Sequence, residues 1–363
     1  MRGDTHKILI VGGGRTGGCI ARLLQAHPRF SPFVLDIDYD CVRALKAKGI
    51  SADHMGGAEA DRLARHLQGA AAVICAAPPS VAPIVARGAA QEGCAYLDLC
   101  EDPKALSEVA RIAQDAQSPF VSGCGLAPGL ISLMVEDLAL RSPKEAEITA
   151  YVGVLPAQKR NRLGYGDMWD IQALLSEYTN PCVGLSDGAL VTVPPLTGYE
   201  TLTVAGENFE AFTTSGALDA LVPGYAGRLK GLSFKTLRYP GHLDYISFLL
   251  DDLGLSKRLY MLRNLLLTGL ERVEADKVIV HLVCRHQDGE KTLTKVFDGG
   301  DSQGNSSLSA LAHISASHAC AVLELLTTGA VQQTGLLHPK DMSFDLMAKS
   351  TFAKSLVGGL VCL

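Results

Sequence analysis

The residues best suited to chemistry stand near the start of the chain, in Gly12-Gly13-Gly14-Arg15-Thr16-Gly17. Gly12, Gly14 and Gly17 fit the spacing G-x-G-x-x-G. Each position needs a missing side chain for its own reason: a tight turn at Gly12, close approach of a pyrophosphate at Gly14, and close packing of helix on strand at Gly17. Arg15 and Thr16 open the helix that follows, whose unpaired N–H groups attract an anion. With 37 glycines in 363 residues the spacing alone carries little weight. Its place counts for more, directly after the apolar run 7–11 and directly before a helical pattern. Asp36 closes the next apolar run, 19 residues beyond Gly17. A carboxylate there accepts hydrogen bonds from the adenine ribose and repels a 2′-phosphate. Ile37 follows, and neither Arg nor Lys appears before Arg43, so the expected cofactor is NAD rather than NADP. The plainer reading is a glycine turn with a surface Asp. Ala76 and Pro78 end the fourth apolar run with small or rigid residues, which suits the nicotinamide half of the cofactor and equally a simple turn.

These residues are positioned by a regular alternation. Strand-like runs at 7–11, 33–36, 50–54, 71–76, 95–99 and 119–122 alternate with helical patterns at 16–27, 40–48, 58–67, 81–92 and 104–116. Such alternation implies a doubly wound parallel sheet of the Rossmann type, with ligands at the carboxyl ends of its strands. After Gly125 the rhythm changes. A helix is expected over 126–140, opened by Pro128. Strand-like segments follow at 146–155, 190–193, 209–213, 277–284 and 292–297, with helical segments at 243–253 and 257–267. The expected second domain is α+β with a mostly antiparallel sheet. We expect a Rossmann domain over 1–125, a substrate-binding and dimerisation domain over 126–304, and C-terminal helices from about 305 to 363 that return to the first domain.

Composition narrows the function classes. Apolar residues make up 47% of the chain and charged residues 20%, with a net charge of −5. No basic stripe is present, which argues against nucleic acid as a partner. The ten cysteines form no C-x-x-C pair, and most sit in core-like runs, as in a reducing compartment. His313 and His318 fall on different sides of a helix, and no metal-ligand spacing is seen. The polar start leads straight into a strand, and no apolar run reads as a membrane span, so a cytoplasmic location is expected.

Several stretches resemble the saccharopine dehydrogenase family: Tyr96-Leu97-Asp98-Leu99, Gly125-Leu126-Ala127-Pro128-Gly129-Leu130, Gly153-Val154-Leu155-Pro156 with Leu163-Gly164-Tyr165 and Trp169, Glu210 to Gly216, and Lys235-Thr236-Leu237-Arg238-Tyr239-Pro240-Gly241-His242. The resemblance runs over nearly the whole chain. Ala127 stands where fungal-type members carry an Asp, and no lysine occurs between Tyr96 and Asp102. Length and the G-L-A-P-G form look more like the lysine 6-dehydrogenase branch. That branch implies NAD-dependent oxidation of the lysine ε-amine to 2-aminoadipate 6-semialdehyde, which cyclises to piperideine-6-carboxylate. The resemblance also implies a homodimer. The rivals are saccharopine dehydrogenase or a carboxynorspermidine-type reductive condensation, and, in another class, a non-catalytic NAD-binding sensor.

For an amine substrate, a base must take a proton before hydride leaves. Asp98 and Glu101, at the carboxyl end of the fifth strand, are candidates, though Asp98 reads equally as a loop or helix cap. His242 is the third, raised by its place at the end of the family segment. The planar fork of Arg238 suits a substrate carboxylate. Lys235 would assist, but strand alternation sends it to the opposite face. Glu210 would pair with an α-ammonium, and Tyr239 would wall the pocket. Each of these reads equally as an ion pair or core residue. The basic run Lys159-Arg160-Asn161-Arg162 reads as a solvated loop.

Overall fold

The structure, a computed structural model, describes residues 5–56, 60–299, 309–338 and 342–357. The chain forms two compact units, Met1–Leu133 with Ala312–Val361, and Met134–Leu311 with Cys362–Leu363.

In the first unit the strands are β1 (His6–Val11), β2 (Phe30–Asp36), β3 (Ala52–His54), β4 (Ala72–Cys75), β5 (Ala95–Asp98) and β6 (Pro119–Val121). The helices between them are α1 (Arg15–Gln25), α2 (Tyr39–Ala47), α3 (Ala60–Leu67), α4 (Ala82–Glu92) and α5 (Pro103–Ala113). The helix α6 (Leu130–Arg141) leads into the second unit. It begins later than Pro128 suggests. The peptide Ala127–Pro128 is cis, and Gly129 has φ 128°, outside helical space, with a Cβ there standing 2.3 Å from the Gly125 oxygen.

The second unit contains β7 (Glu147–Pro156), α7 (Ile171–Thr179), β8 (Cys182–Ser186), β9 (Ala189–Val193), β10 (Glu200–Val204), β11 (Glu207–Thr213), β12 (Gly231–Arg238), α8 (His242–Ser247), α9 (Leu259–Gly269), β13 (Asp276–His286) and β14 (Gly289–Asp298). The helix expected over 243–253 stops early, because Phe248–Asp252 widens into a π turn. The chain then runs through α10 (Ala310–Thr327), β15 (Gly335–Leu337), α11 (Phe344–Met347) and α12 (Lys354–Val357). Of the C-terminal helices expected from about 305 to 363, residues 305–308, 339–341 and 358–363 lie outside the described residues.

The first sheet has the order β15-β6-β5-β4-β1-β2-β3 with every pair parallel. Its central strands are mostly apolar and buried, as in Ile8–Val11 of β1 and all of β4, as burial on both faces demands. Leu9, Val73, Tyr96 and Phe120 form one core with Val85, Ala86, Ala89 and Val109. The edge strand β15 comes from the C-terminal segment, where only helix was expected. The order reverses between β1 and β4, so the carboxyl ends of these two strands open a crevice for a ligand.

The second sheet has the order β10-β11-β12-β7-β13-β14, with β8 on β12 and β9 on β8. Only β7 and β12 run parallel, and all the other pairs are antiparallel. The two faces are distinct. Tyr165, Leu174, Tyr178, Phe212, Ile246, Leu262 and Leu266 form one core, from helices α7 to α9 against the sheet. Tyr151, Phe209, Leu237, Tyr239 and Ile279 form the other. By length and composition α10 could cross a membrane, but 78% of it is buried inside the protein and it serves as a core helix.

Candidate functional site

Gly12 has φ 97°, and a Cβ there would stand 2.5 Å from the Ala76 carbonyl oxygen. A Cβ on Gly17 would stand 1.9 Å from the Gly12 oxygen. Gly14 is the reverse: it is exposed, and nothing lies within 4 Å of its Cβ position. The loop is therefore closed to side chains on its inner side and open on its outer side, as a pyrophosphate cradle must be. Helix α1 starts directly after Gly14, which makes no side-chain cap, and a helix N-terminus in this place attracts an anion. Arg15 and Thr16 are its half-buried first residues. The Ala76 N–H bonds the Val11 oxygen at 2.8 Å, holding the ends of β1 and β4 together at the switch point. Ala76 is half-buried there and Pro78 exposed. Asp36 ends β2, and its carboxylate accepts from the N–H groups of Gly13 (2.5 Å) and Asp38 (2.7 Å), tying the strand end to the glycine loop.

The glycines make separable expectations. Gly17→Ala destabilises by about 2–3 kcal/mol, because its Cβ meets backbone that has nowhere to go. Gly14→Ala leaves the melting temperature unchanged but weakens dinucleotide binding at least about tenfold, roughly the 1.4 kcal/mol of one lost close approach. Thermal unfolding and dinucleotide titration on the two variants check this.

Asp98, at the end of β5, is fully buried. Its carboxylate accepts from Tyr96 OH (2.9 Å), Ser122 OH (3.0 Å), Cys100 N–H (3.0 Å) and Gly123 N–H (2.9 Å). Burial pushes its carboxyl up, and these four donors pull against that. The arrangement ties β5 to the loop after β6. Glu101 lies half-buried between β5 and α5.

The second unit builds a different constellation, at the end of β12. Arg238 is 2% exposed. Its guanidinium carbon lies 5.0 Å from the Tyr165 ring centre and 5.8 Å from that of Tyr178. Nε donates to Tyr178 OH at 2.9 Å and Nη1 to the Leu237 oxygen at 3.0 Å. Burial opposes its charge, but Tyr178, Tyr165 and Glu177 outweigh that and hold it fully protonated. The Tyr178 oxygen also stands 2.9 Å from His242 Nε2, and His242 Nδ1 stands 2.8 Å from the Leu163 oxygen. One assignment satisfies every group. Arg238 donates to Tyr178, Tyr178 donates to His242 Nε2, and His242 donates from Nδ1 to Leu163. Burial first, then Arg238, push the His242 ring down to about 3, so it stays neutral at physiological pH. Both of its nitrogens are engaged, Nε2 with Tyr178, which in turn holds the Arg238 Nε.

Glu210 is paired with Arg238 across β11 and β12. Its carboxylate accepts from the N–H groups of Gly241 (2.8 Å) and Leu243 (2.6 Å), and so caps α8 and fixes His242. Lys235 and Tyr239 lie on the other face. Lys235 donates to the Gly198 oxygen (2.7 Å) and Glu200 (2.5 Å), and Tyr239 donates to the Pro156 oxygen at 2.9 Å. The structure thus gathers His242, Glu210 and Arg238, and leaves Lys235 and Tyr239 apart from them. Lys159, Arg160 and Arg162 are exposed.

Residues 8–121 match the family model described as saccharopine dehydrogenase NADP binding domain, and residues 125–356 match the saccharopine dehydrogenase C-terminal domain. The chain belongs to the saccharopine dehydrogenase family. As a member of that family it is an oxidoreductase that binds a nicotinamide dinucleotide. Its structure is similar to apo saccharopine dehydrogenase (L-Glu forming) from Saccharomyces cerevisiae, with a TM-score of 0.75 at 17% identity over 97% of both chains. It also matches GenD2 from gentamicin A biosynthesis in complex with NAD (TM-score 0.48, 13% identity, 96% of both chains) and a myo-inositol dehydrogenase from Corynebacterium glutamicum (0.46, 12%, 93% and 92%).

In this saccharopine dehydrogenase-family chain, sequence reasoning passed over Glu177 and Tyr178, at the end of α7. Nothing local marks them, since they meet Arg238 only through packing of helix on sheet. Glu177 is half-buried, and burial pushes its carboxyl up to about 7, against the pull of Arg238. The sign for stability follows. The folded value of about 7 lies above the ordinary 4.5, so between these the folded chain holds a proton that the unfolded chain has lost. Stability therefore falls as pH rises through that window. Glu177→Gln removes this fall, so the variant melts higher than wild type above neutrality and at the same temperature near pH 4. Melting curves across that range check it.

Proposed function

We propose that the protein is an NAD-dependent dehydrogenase acting on the amine of an amino acid, and that its reaction is oxidative deamination of L-lysine at the ε-carbon. One observation carries the substrate half of this reading. Arg238 is a buried cation that pairs with no carboxylate among the described residues, although an unpaired buried charge is costly. A ligand carboxylate is the partner that fits its planar fork. The cofactor half rests on the glycine loop and Asp36, whose carboxylate disfavours a 2′-phosphate.

In this reading Arg238 orients the amino acid, with Tyr178 and His242 holding the guanidinium and Tyr165 flooring it. The oxidised nicotinamide supplies the hydride acceptor. The ε-ammonium, with an ordinary pKa of roughly 10.4, first gives up a proton to solvent water or buffer. The carbon then loses hydride to leave an imine, water adds, and ammonia departs to leave 2-aminoadipate 6-semialdehyde. Asp98 enters this scheme as the organiser of the loop after β6. The rival, a reductive condensation giving a tricarboxylate, needs several cations at one place. The exposure of Lys159, Arg160 and Arg162 supports the single-carboxylate reading instead.

The test is formation of reduced dinucleotide from L-lysine, saccharopine, ornithine and polyamines, each with NAD and with NADP. Turnover of lysine with NAD at least about tenfold better than with NADP is expected, a discrimination of about 1.4 kcal/mol. Turnover of saccharopine alone moves the function to the rival. NAD binding with no turnover on any of them makes the protein a sensor.

A further inference from the structure

The contact of β11 with α7 carries a second unsatisfied feature. Thr214 is 2% exposed, and its hydroxyl has no hydrogen-bond partner. Thr214 follows directly on the end of β11, two residues after Phe212, and Phe212 packs against Tyr178 and His242, with ring centres 6.2 and 6.3 Å apart. The next residue, Ser215, bonds the end of α7 directly, its N–H to the Glu177 carbonyl oxygen at 3.2 Å and its hydroxyl to the Ser176 oxygen at 3.4 Å. These bonds hold the backbone just after Thr214 against the backbone of Glu177. Glu177 in turn feels the charge of Arg238, yet its carboxyl makes no ion pair with that residue and no hydrogen bond among the described residues. A buried hydroxyl without a partner is rare and costs free energy unless a ligand satisfies it.

A buried cation, and a carboxylate on the residue next to its Tyr178 partner that feels its charge without pairing with it, match one ligand class closely. An α-amino acid carries a carboxylate and an ammonium on the same carbon, so its receptor needs opposite charges a few ångströms apart that do not cancel each other. We propose that Glu177 and Thr214 form the α-ammonium subsite of a zwitterion receptor, with the α-carboxylate on Arg238. The substrate class is then a free α-amino acid, and neither a polyamine nor a simple amine. This rests on the reading of Arg238 as the carboxylate site. Glu177 binds in its ionised form, so ligand binding releases a proton near neutrality, and the ammonium replaces the hydrogen-bond donors that Glu177 lacks.

The chain supplies its own probe. Trp169 is its single tryptophan, and its indole N–H donates to Tyr165 OH at 2.6 Å, directly under Arg238. The experiment titrates the full chain with NAD present, in buffer above neutrality, and follows Trp169 fluorescence. The ligands are L-norleucine, which has the zwitterion but no ε-amine, hexanoate, which has only the carboxylate, and pentylamine, which has only the ammonium. The expected result is that norleucine binds at least about tenfold tighter than hexanoate, the worth of one charge-assisted bond. That advantage disappears in Glu177→Gln and shrinks in Thr214→Val, while hexanoate binds neither variant more weakly than wild type. Equal affinity for norleucine and hexanoate in wild type overturns the subsite and leaves Arg238 as the carboxylate site. Binding of neither, or pentylamine as tight as both, overturns the Arg238 reading and the subsite with it. An advantage for norleucine that survives in Glu177→Gln removes the role of Glu177.

Discussion

Replacing Arg238 with Met lowers kcat/KM for the amino-acid substrate about a thousandfold, equivalent to about 4 kcal/mol of transition-state binding. The estimate follows from the burial of the guanidinium and from its lack of a partner carboxylate. The protein already bears the desolvation of that charge, so the substrate carboxylate meets a dehydrated, pre-oriented fork. Met matches the length of the arginine stem and packs against Tyr165 without a charge. The melting temperature should therefore hold or rise, since an unpaired buried cation has been removed. Arg238→Lys keeps the charge but loses the fork and the Nε bond to Tyr178, and should recover only part of the activity. Dinucleotide affinity should not change in either variant, because the glycine loop is untouched. Steady-state kinetics with melting curves separate this from a structural role, in which activity would fall only as far as stability does.

Asp98→Ala destabilises the enzyme rather than slowing its chemistry. Four donors lose their acceptor at once, two of them backbone N–H groups in loops that have no other partner for them. Leaving buried donors unsatisfied costs about 1–3 kcal/mol each before relaxation, and a loss of about 4 kcal/mol in all is expected. For a unit of this size that lowers the melting temperature by roughly 10 °C. Asp98→Asn should fare little better, since its amide presents donors to donors. A general-base role would give the opposite pattern: a normal melting temperature with kcat reduced about a hundredfold or more. Melting curves and kcat on the same preparations distinguish the two.

Much of the fold was legible because its signals are local. The alternation of apolar runs with helical patterns places all six sheet strands of the first 122 residues within a few positions of where they lie, and strand, glycines and helix start coincide at 12–17. The antiparallel character of the second sheet also follows from its long-spaced strands. Other features were hidden for physical reasons. Strand β15 is three residues long and gains its identity only by pairing with β6. The first turns of the helix after Pro128 give way to the backbone at Gly129. In the site, Arg238 could be singled out by its chemistry, and alternation correctly sent Lys235 to the other face. Glu177, Tyr178 and Thr214 carry no such mark. They acquire meaning from the contact of α7 with β11 and β12, a relation of residues about 25 to 60 apart that no local pattern encodes.

The most direct measurement uses L-lysine carrying deuterium on its ε-carbon, with NAD as the acceptor and mass analysis of the reduced cofactor. The account predicts that the NADH formed carries deuterium, that its formation is slower than with unlabelled lysine, and that the reaction is lost in Arg238→Met. NADH without the label, or no NADH from lysine while NAD is bound, would contradict it.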